Sequence, residues 1–133
     1  MQLRRSRMAL GFSLMLLLSP GANAGGTVSF TKDVVGVFKR QCVACHMTGE
    51  EQGQLGLAPG LAYAGLVGVA SRGSGLPRVA PGEPERSYLV HKLQGTHLDQ
   101  GGSGERMPMG QEPLADRDIA LVRDWIAAGA QNN

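Results

Sequence analysis

The chain has two cysteines, and a histidine directly follows the second: Cys42-Val43-Ala44-Cys45-His46. With two residues between them, one helical turn presents both sulfurs to one edge of a flat group. Several uses of paired cysteines compete. One is a disulfide between Cys42 and Cys45 in an oxidising compartment. A thioredoxin-like redox pair needs a βαβ setting, and the chain shows no strand pattern. Half a zinc site needs a second ligand pair, which His91 and His97 do not supply at finger spacing. Cys-x-x-Cys-His is, however, the attachment signature of a c-type haem, and that is the expected use here. The two thiols add across the porphyrin vinyl groups as thioethers, and His46 turns its imidazole to the iron as proximal ligand. One haem c is the expected cofactor.

Composition supports a large apolar cofactor. Glycine accounts for 20 of 133 residues and aromatics for only 5%, against an ordinary glycine usage of about 7%. Such a chain has little material for a conventional core, and small domains are marginal in any case. Something else should fill the centre.

The first residues read as a targeting signal. Arg4, Arg5 and Arg7 precede an apolar run from Ala9 to Ser19, and Ala22-Asn23-Ala24 supplies a small-x-small cleavage site. The run is about eleven residues, whereas a bilayer span needs roughly 20. The competing reading, an uncleaved anchor, is opposed by the Pro20-Gly21 break. Residues 1–24 are therefore expected to be a signal peptide and residues 25–133 one small domain, periplasmic or secreted, with no membrane span in the mature chain. Losing three arginines lowers Lys and Arg from 13 to 10 against 11 Asp and Glu, a formal charge of about −1. The chain's pI of about 8.8 counts the discarded segment. Without a basic excess or basic run, nucleic acid is not an expected partner.

The mature chain reads as all-α, about four helices in one small bundle. Residues 27–46 are predicted helical, with Thr31 as N-cap, Asp33 in the first turn, and Val34, Val35 and Phe38 inward. Residues 61–70 form a short Ala/Gly/Leu/Val helix. A third helix starts at Glu83 or Pro84 and reaches about Gln94, with Tyr88, Leu89 and Leu93 inward and His91 on its surface. The Gly-rich segment 95–113 is predicted to be an extended loop. The last helix runs from about Asp116 to Ala128, buries Ile119, Val122, Trp125 and Ile126, and ends at Gly129 as C′ residue.

A sixth iron ligand is sought among the methionines. Met47 adjoins His46 on the proximal side and cannot reach the opposite face. Met107 and Met109 lie in the Gly-rich loop, where Pro108 stiffens the approach. In an extended Met-Pro-Met segment alternate side chains point opposite ways, so only one of them reaches the iron. A histidine is the other option, with His97 favoured by its place in the loop.

The whole mature length resembles the small single-haem class I c-type cytochromes, most closely the planctomycete-type cytochrome c domains. The resemblance rests on the haem motif, Pro81-Gly82-Glu83-Pro84-Glu85-Arg86-Ser87-Tyr88-Leu89, Met107-Pro108, and Trp125-Ile126-Ala127-Ala128-Gly129-Ala130. It implies an all-α, cytochrome c-like bundle wrapped around one covalent haem, its first and last helices crossing beside the haem edge. It also implies methionine as sixth ligand. The family usually has Met-Pro-Pro with the first position ligating, which points to Met107; Met109 departs from that pattern and stays as the alternative. Further implied features are a Pro59 carbonyl that accepts from the proximal imidazole, and Phe38 meeting Trp125 between the first and last helices. Arg78, Arg86 and Tyr88 are candidates for the haem propionates, with solvated surface as the plainer role. Ala115 stands where the family often has an N-cap serine.

These features favour a non-enzymatic mono-haem electron carrier, or the haem subunit of an oxidoreductase, acting on a redox protein partner as a monomer. His/Met ligation leaves no open coordination site and favours a raised potential. The alternative is a haem enzyme or gas sensor with an exchangeable sixth ligand. No paired carboxylates, nucleophile triad or phosphate loop appears.

Overall fold

The computed structural model describes residues 27–133; the expected signal peptide lies outside the described residues. Four α-helices are present: α1 (Val35–Gln41), α2 (Ala62–Leu66), α3 (Tyr88–Gln94) and α4 (Asp116–Ala127). Among the described residues there are no strands, so the all-α expectation holds.

Ser29, rather than Thr31, starts the first helix. Its hydroxyl accepts from the Lys32 N–H at 3.3 Å, and its own N–H donates to the Asp33 carboxylate at 2.9 Å. This is reciprocal capping two residues earlier than the sequence suggested. The Thr31 hydroxyl is committed elsewhere, donating to the Asn133 carbonyl at 2.8 Å. A π-helical turn, Phe30–Val34, runs directly into α1. Phe30, Val34, Val37 and Phe38 are all buried, at the i, i+4, i+7, i+8 spacing of one helical stripe.

That stripe packs against α4, and Phe30 is its centre. The Phe30 ring lies 4.9 Å from Trp125, 5.3 Å from Tyr63 and 6.4 Å from Phe38, the last two edge-on. Sequence reasoning paired Phe38 with Trp125; the ring between them is Phe30. The polar ends of the two outer aromatics also point to one segment. Tyr63 Oη donates to the Ala130 carbonyl at 3.0 Å and Trp125 Nε1 to the Gln131 carbonyl at 2.9 Å. Asn133 completes the join, accepting from the Phe30 N–H through Oδ1 at 2.8 Å and from the Thr31 N–H through its carbonyl at 2.9 Å.

α4 matches its expected span. Ala115 offers no side-chain cap, and Asp116 and Asp118 occupy the first turn, where the helix dipole favours them. At the other end Gly129 adopts φ 101°, with its N–H donating to the Ile126 carbonyl and the Ala130 N–H to the Trp125 carbonyl, both at 2.9 Å. That double bond is the Schellman ending its glycine foretold.

The other helices are shorter than periodicity suggested. α2 stops at Leu66, and the chain then doubles back, with Val67 bridged to Val79 and Ala70 to Pro77. The helix expected from Pro84 onward is split into a 3₁₀ turn, Pro84–Arg86, and α3. Ser87 causes the break. Fully buried, it takes extended φ/ψ and uses its hydroxyl locally: Oγ donates to the Glu83 carbonyl and accepts from the Ala80 N–H, both at 2.9 Å.

Replacing Phe30 by alanine removes a fully packed ring from this junction. The expected loss is about 3–5 kcal/mol of stability, the usual range for a buried Phe→Ala change. Chemical denaturation followed by Trp125 fluorescence measures it; a loss below ~1 kcal/mol would show that Phe30 is not the centre of the core.

Candidate functional site

The two-cysteine motif begins where α1 ends. The Cys42 N–H still donates to the Phe38 carbonyl at 2.9 Å, but Cys42 leaves helical geometry with φ −127°. The next residues form tight turns, with the Cys45 and His46 N–H groups both donating to the Cys42 carbonyl at 3.1 and 3.0 Å. One carbonyl thus gathers the second thiol and the imidazole. Both cysteines are free; Cys42 packs partly buried against the core, and Cys45 is exposed. Burial, followed by the neighbouring Cys45, pushes the Cys42 thiol up to about 11. It is therefore a neutral thiol at ordinary pH.

His46 is half-buried, and its Nδ1 is fully buried without a hydrogen-bond partner. A buried ring nitrogen left unpaired in this way calls for an explanation. The segment after it folds back onto the motif. The Leu57 N–H donates to the His46 carbonyl at 2.8 Å and the Ala58 N–H to the Met47 carbonyl at 3.2 Å. Pro59, next in the chain, is exposed at the following turn, and no hydrogen bond joins its carbonyl to His46.

Glu51 shapes this return. Its carboxylate accepts from the Thr48 N–H at 3.1 Å, the Gly49 N–H at 2.9 Å and the Thr48 hydroxyl at 3.0 Å. Those bonds stabilise the anion and hold its pKa down at about 2. Gly56 lies so close that a Cβ there would sit 2.8 Å from the Thr48 carbonyl carbon. Only glycine fits.

The Gly-rich segment is pinned rather than extended. It contains a 3₁₀ turn, His97–Gln100, and Lys92 of α3 donates to the Ser103 carbonyl at 3.2 Å and to the Glu105 carbonyl. His97 is buried, with Nε2 against the Gly104 carbonyl at 2.8 Å. The Met107 N–H donates to the Lys92 carbonyl at 2.8 Å. Met107 packs partly buried against the same core that Cys42 borders, whereas Met109 is 58% exposed. The Met107–Pro108 bond is cis, and Met109-Gly110 is a turn. With Met109-Gly110 in a turn, the alternation argument for an extended segment does not apply; burial is what distinguishes the two methionines.

Other candidates have different roles from those expected. His91 is buried, not a surface residue: Nδ1 meets Thr96 Oγ1 at 2.8 Å and Nε2 the Glu85 carbonyl at 2.9 Å. It ties the 3₁₀ turn before α3 to the residue after it. Thr96, placed just past the helix-ending Gly95, was the available signal. Arg78 and Tyr88 are buried, and Arg86 is exposed beside Glu83 at 3.3 Å.

Among the described residues no group of three or more His, Cys, Asp or Glu is arranged to hold a metal ion, and no helix is long and apolar enough to cross a membrane. Compared with known protein families, curated proteins and solved structures, the chain matches none.

The return loop carries its own pH dependence. The Glu51 pKa falls from 4.5 to about 2 on folding, so its contribution to stability is complete above pH 4.5 and is lost as pH falls through about 2. Carbon-13 carboxyl titration by NMR should place the Glu51 midpoint near 2. A midpoint at the ordinary value would mean that this carboxylate does not close the loop.

Proposed function

We propose that the protein is a mono-haem c-type cytochrome that carries single electrons outside the cytoplasm, as a free carrier or as the haem subunit of an oxidoreductase. The observation that carries this reading is Cys42-Val43-Ala44-Cys45-His46 at the end of α1, with both thiols free and the buried His46 Nδ1 unpartnered. These donors fit a covalent haem. Such a group supplies one-electron iron chemistry when bound.

Each residue then has a defined task. Cys42 and Cys45 hold the porphyrin edge through thioethers, and His46 is the proximal iron ligand. The Pro59 carbonyl is the proposed acceptor for His46 Nδ1–H, a bond that would fix the tautomer and raise ligand basicity. That bond is absent here. Met107 is the sixth ligand. Its burial, and the tie from its N–H to α3, favour it over exposed Met109. The nearly neutral mature charge suits weak, short-lived contact with a redox protein partner.

The intact mass of the purified protein after acid–acetone extraction should exceed the polypeptide mass by one haem. A bare-chain mass would sink the proposal. Met107→Ala should abolish the weak far-red ferric sulfur-to-iron band, lower the reduction potential and admit carbon monoxide, whereas Met109→Ala should leave the band in place. The reverse result would move the ligand to Met109. A wild-type protein that lacks the band and binds carbon monoxide readily would be a haem enzyme or sensor.

A further inference from the structure

Three consecutive carbonyls just ahead of Met107 are each held by a side chain from α3 or from the turn that follows it. Lys92 Nζ donates to the Ser103 carbonyl at 3.2 Å and to the Glu105 carbonyl. His97 Nε2 meets the Gly104 carbonyl between them at 2.8 Å. A carbonyl only accepts, so His97 Nε2 carries the hydrogen and Nδ1 is the bare nitrogen. That Nδ1 is buried without a partner.

The backbone of the same two residues grips the segment as well. The Met107 N–H donates to the Lys92 carbonyl at 2.8 Å, and the Gly102 N–H to the His97 carbonyl at 2.9 Å. Gly102 is pressed in so closely that a Cβ there would run into Tyr88 Oη and the His97 carbonyl oxygen. Lys92 makes no ion pair among the described residues. Burial holds its ammonium below its ordinary range, while the Glu105 charge acts the other way. A partly desolvated lysine aimed at loop carbonyls, with no carboxylate to pair with, fastens the loop through charge-assisted hydrogen bonds.

We propose that Lys92 and His97 are positioning residues that present the Met107 thioether to the iron and keep outside ligands from the sixth site, an assignment that rests on the cytochrome reading above. They act by fixing residues 102–107 to α3, and neither touches the iron. His97, the histidine option for the sixth ligand, is committed as a donor to the loop instead. A ligand on a glycine-rich segment needs such support, because the backbone alone does not hold it to one geometry.

The test uses the purified full-length mature protein and the variant Lys92→Met, which keeps the apolar stem and loses the donor. The first readout is carbon monoxide binding to the reduced holoprotein, which requires Met107 to leave. Lys92→Met should bind it at least about tenfold faster than wild type, the population change given by one lost charge-assisted hydrogen bond. Lys92→Arg, which keeps a charged donor, should return the slow rate. The second readout is amide exchange followed by NMR, which needs no haem: the Met107 N–H should exchange at least about tenfold faster in Lys92→Met. Should that variant not accumulate, His97→Ala removes the middle contact and gives the same two readings. Unchanged exchange overturns the clamp. Faster exchange with an unchanged carbon monoxide rate overturns its link to the iron. Resistance to carbon monoxide that is lost in His97→Gln but kept in Met107→Ala would make His97 the ligand and overturn its positioning role. A chain of bare mass ends the cytochrome reading and the ligand role with it, whereas amide exchange still decides whether Lys92 holds the loop.

Discussion

The contact of Phe30 with Trp125, Tyr63 and Phe38 joins three parts of the chain that are far apart in sequence. With so few aromatic residues, the protein concentrates them at the junction of the first helix, α2 and α4. The position of the two-cysteine motif follows from that junction. Phe38 is locked in the core, its carbonyl accepts from the N–H of Cys42 and of Val43, and the turns carrying Cys45 and His46 hang from the Cys42 carbonyl. The cysteines and His46 therefore sit at the end of a packed helix, the kind of support that precise sites need.

Elsewhere polar side chains do what a larger apolar core would do. Arg78 binds three carbonyls, His91 bridges a turn and a helix end, Ser87 ties two loop segments, and Glu51 gathers two N–H groups and a hydroxyl. Each is local and directional. A glycine-rich backbone needs such fixings, because each glycine adds conformational freedom that folding must remove.

What could be read from the sequence follows the same division between local and long-range physics. The span of α4 was legible, because its apolar spacing, acidic first turn and Gly129 ending are all local signals, although Ile119 is only partly buried. The motif was legible for the same reason, being five adjacent residues. The break at Ser87 was missed because a serine in a helical pattern gives no sign that it will be buried beside Ala80. Thr31 reads as the cap because nothing local shows that Asn133 will occupy its hydroxyl. His91 reads as a surface residue because nothing local shows that the Glu85 carbonyl and Thr96 will enclose it. Nothing local separates Met107 from Met109; in the structure Met107 packs partly buried against the core and Met109 is exposed.

The clasp at Asn133 has a topological consequence. Ser29, Phe30 and Thr31 all bond to that one residue, so the two ends of the described chain lie side by side on the surface. A linker of a few glycines could join them with little loop-closure cost. The chain could then be cut at the exposed turn around Gly110, leaving the Phe30 junction and the Cys42–His46 turns intact. The order of the helices along the chain is thus separable from their arrangement in space. Met107 would come to lie near a chain end and Cys42 far inside, with the core that both border unchanged.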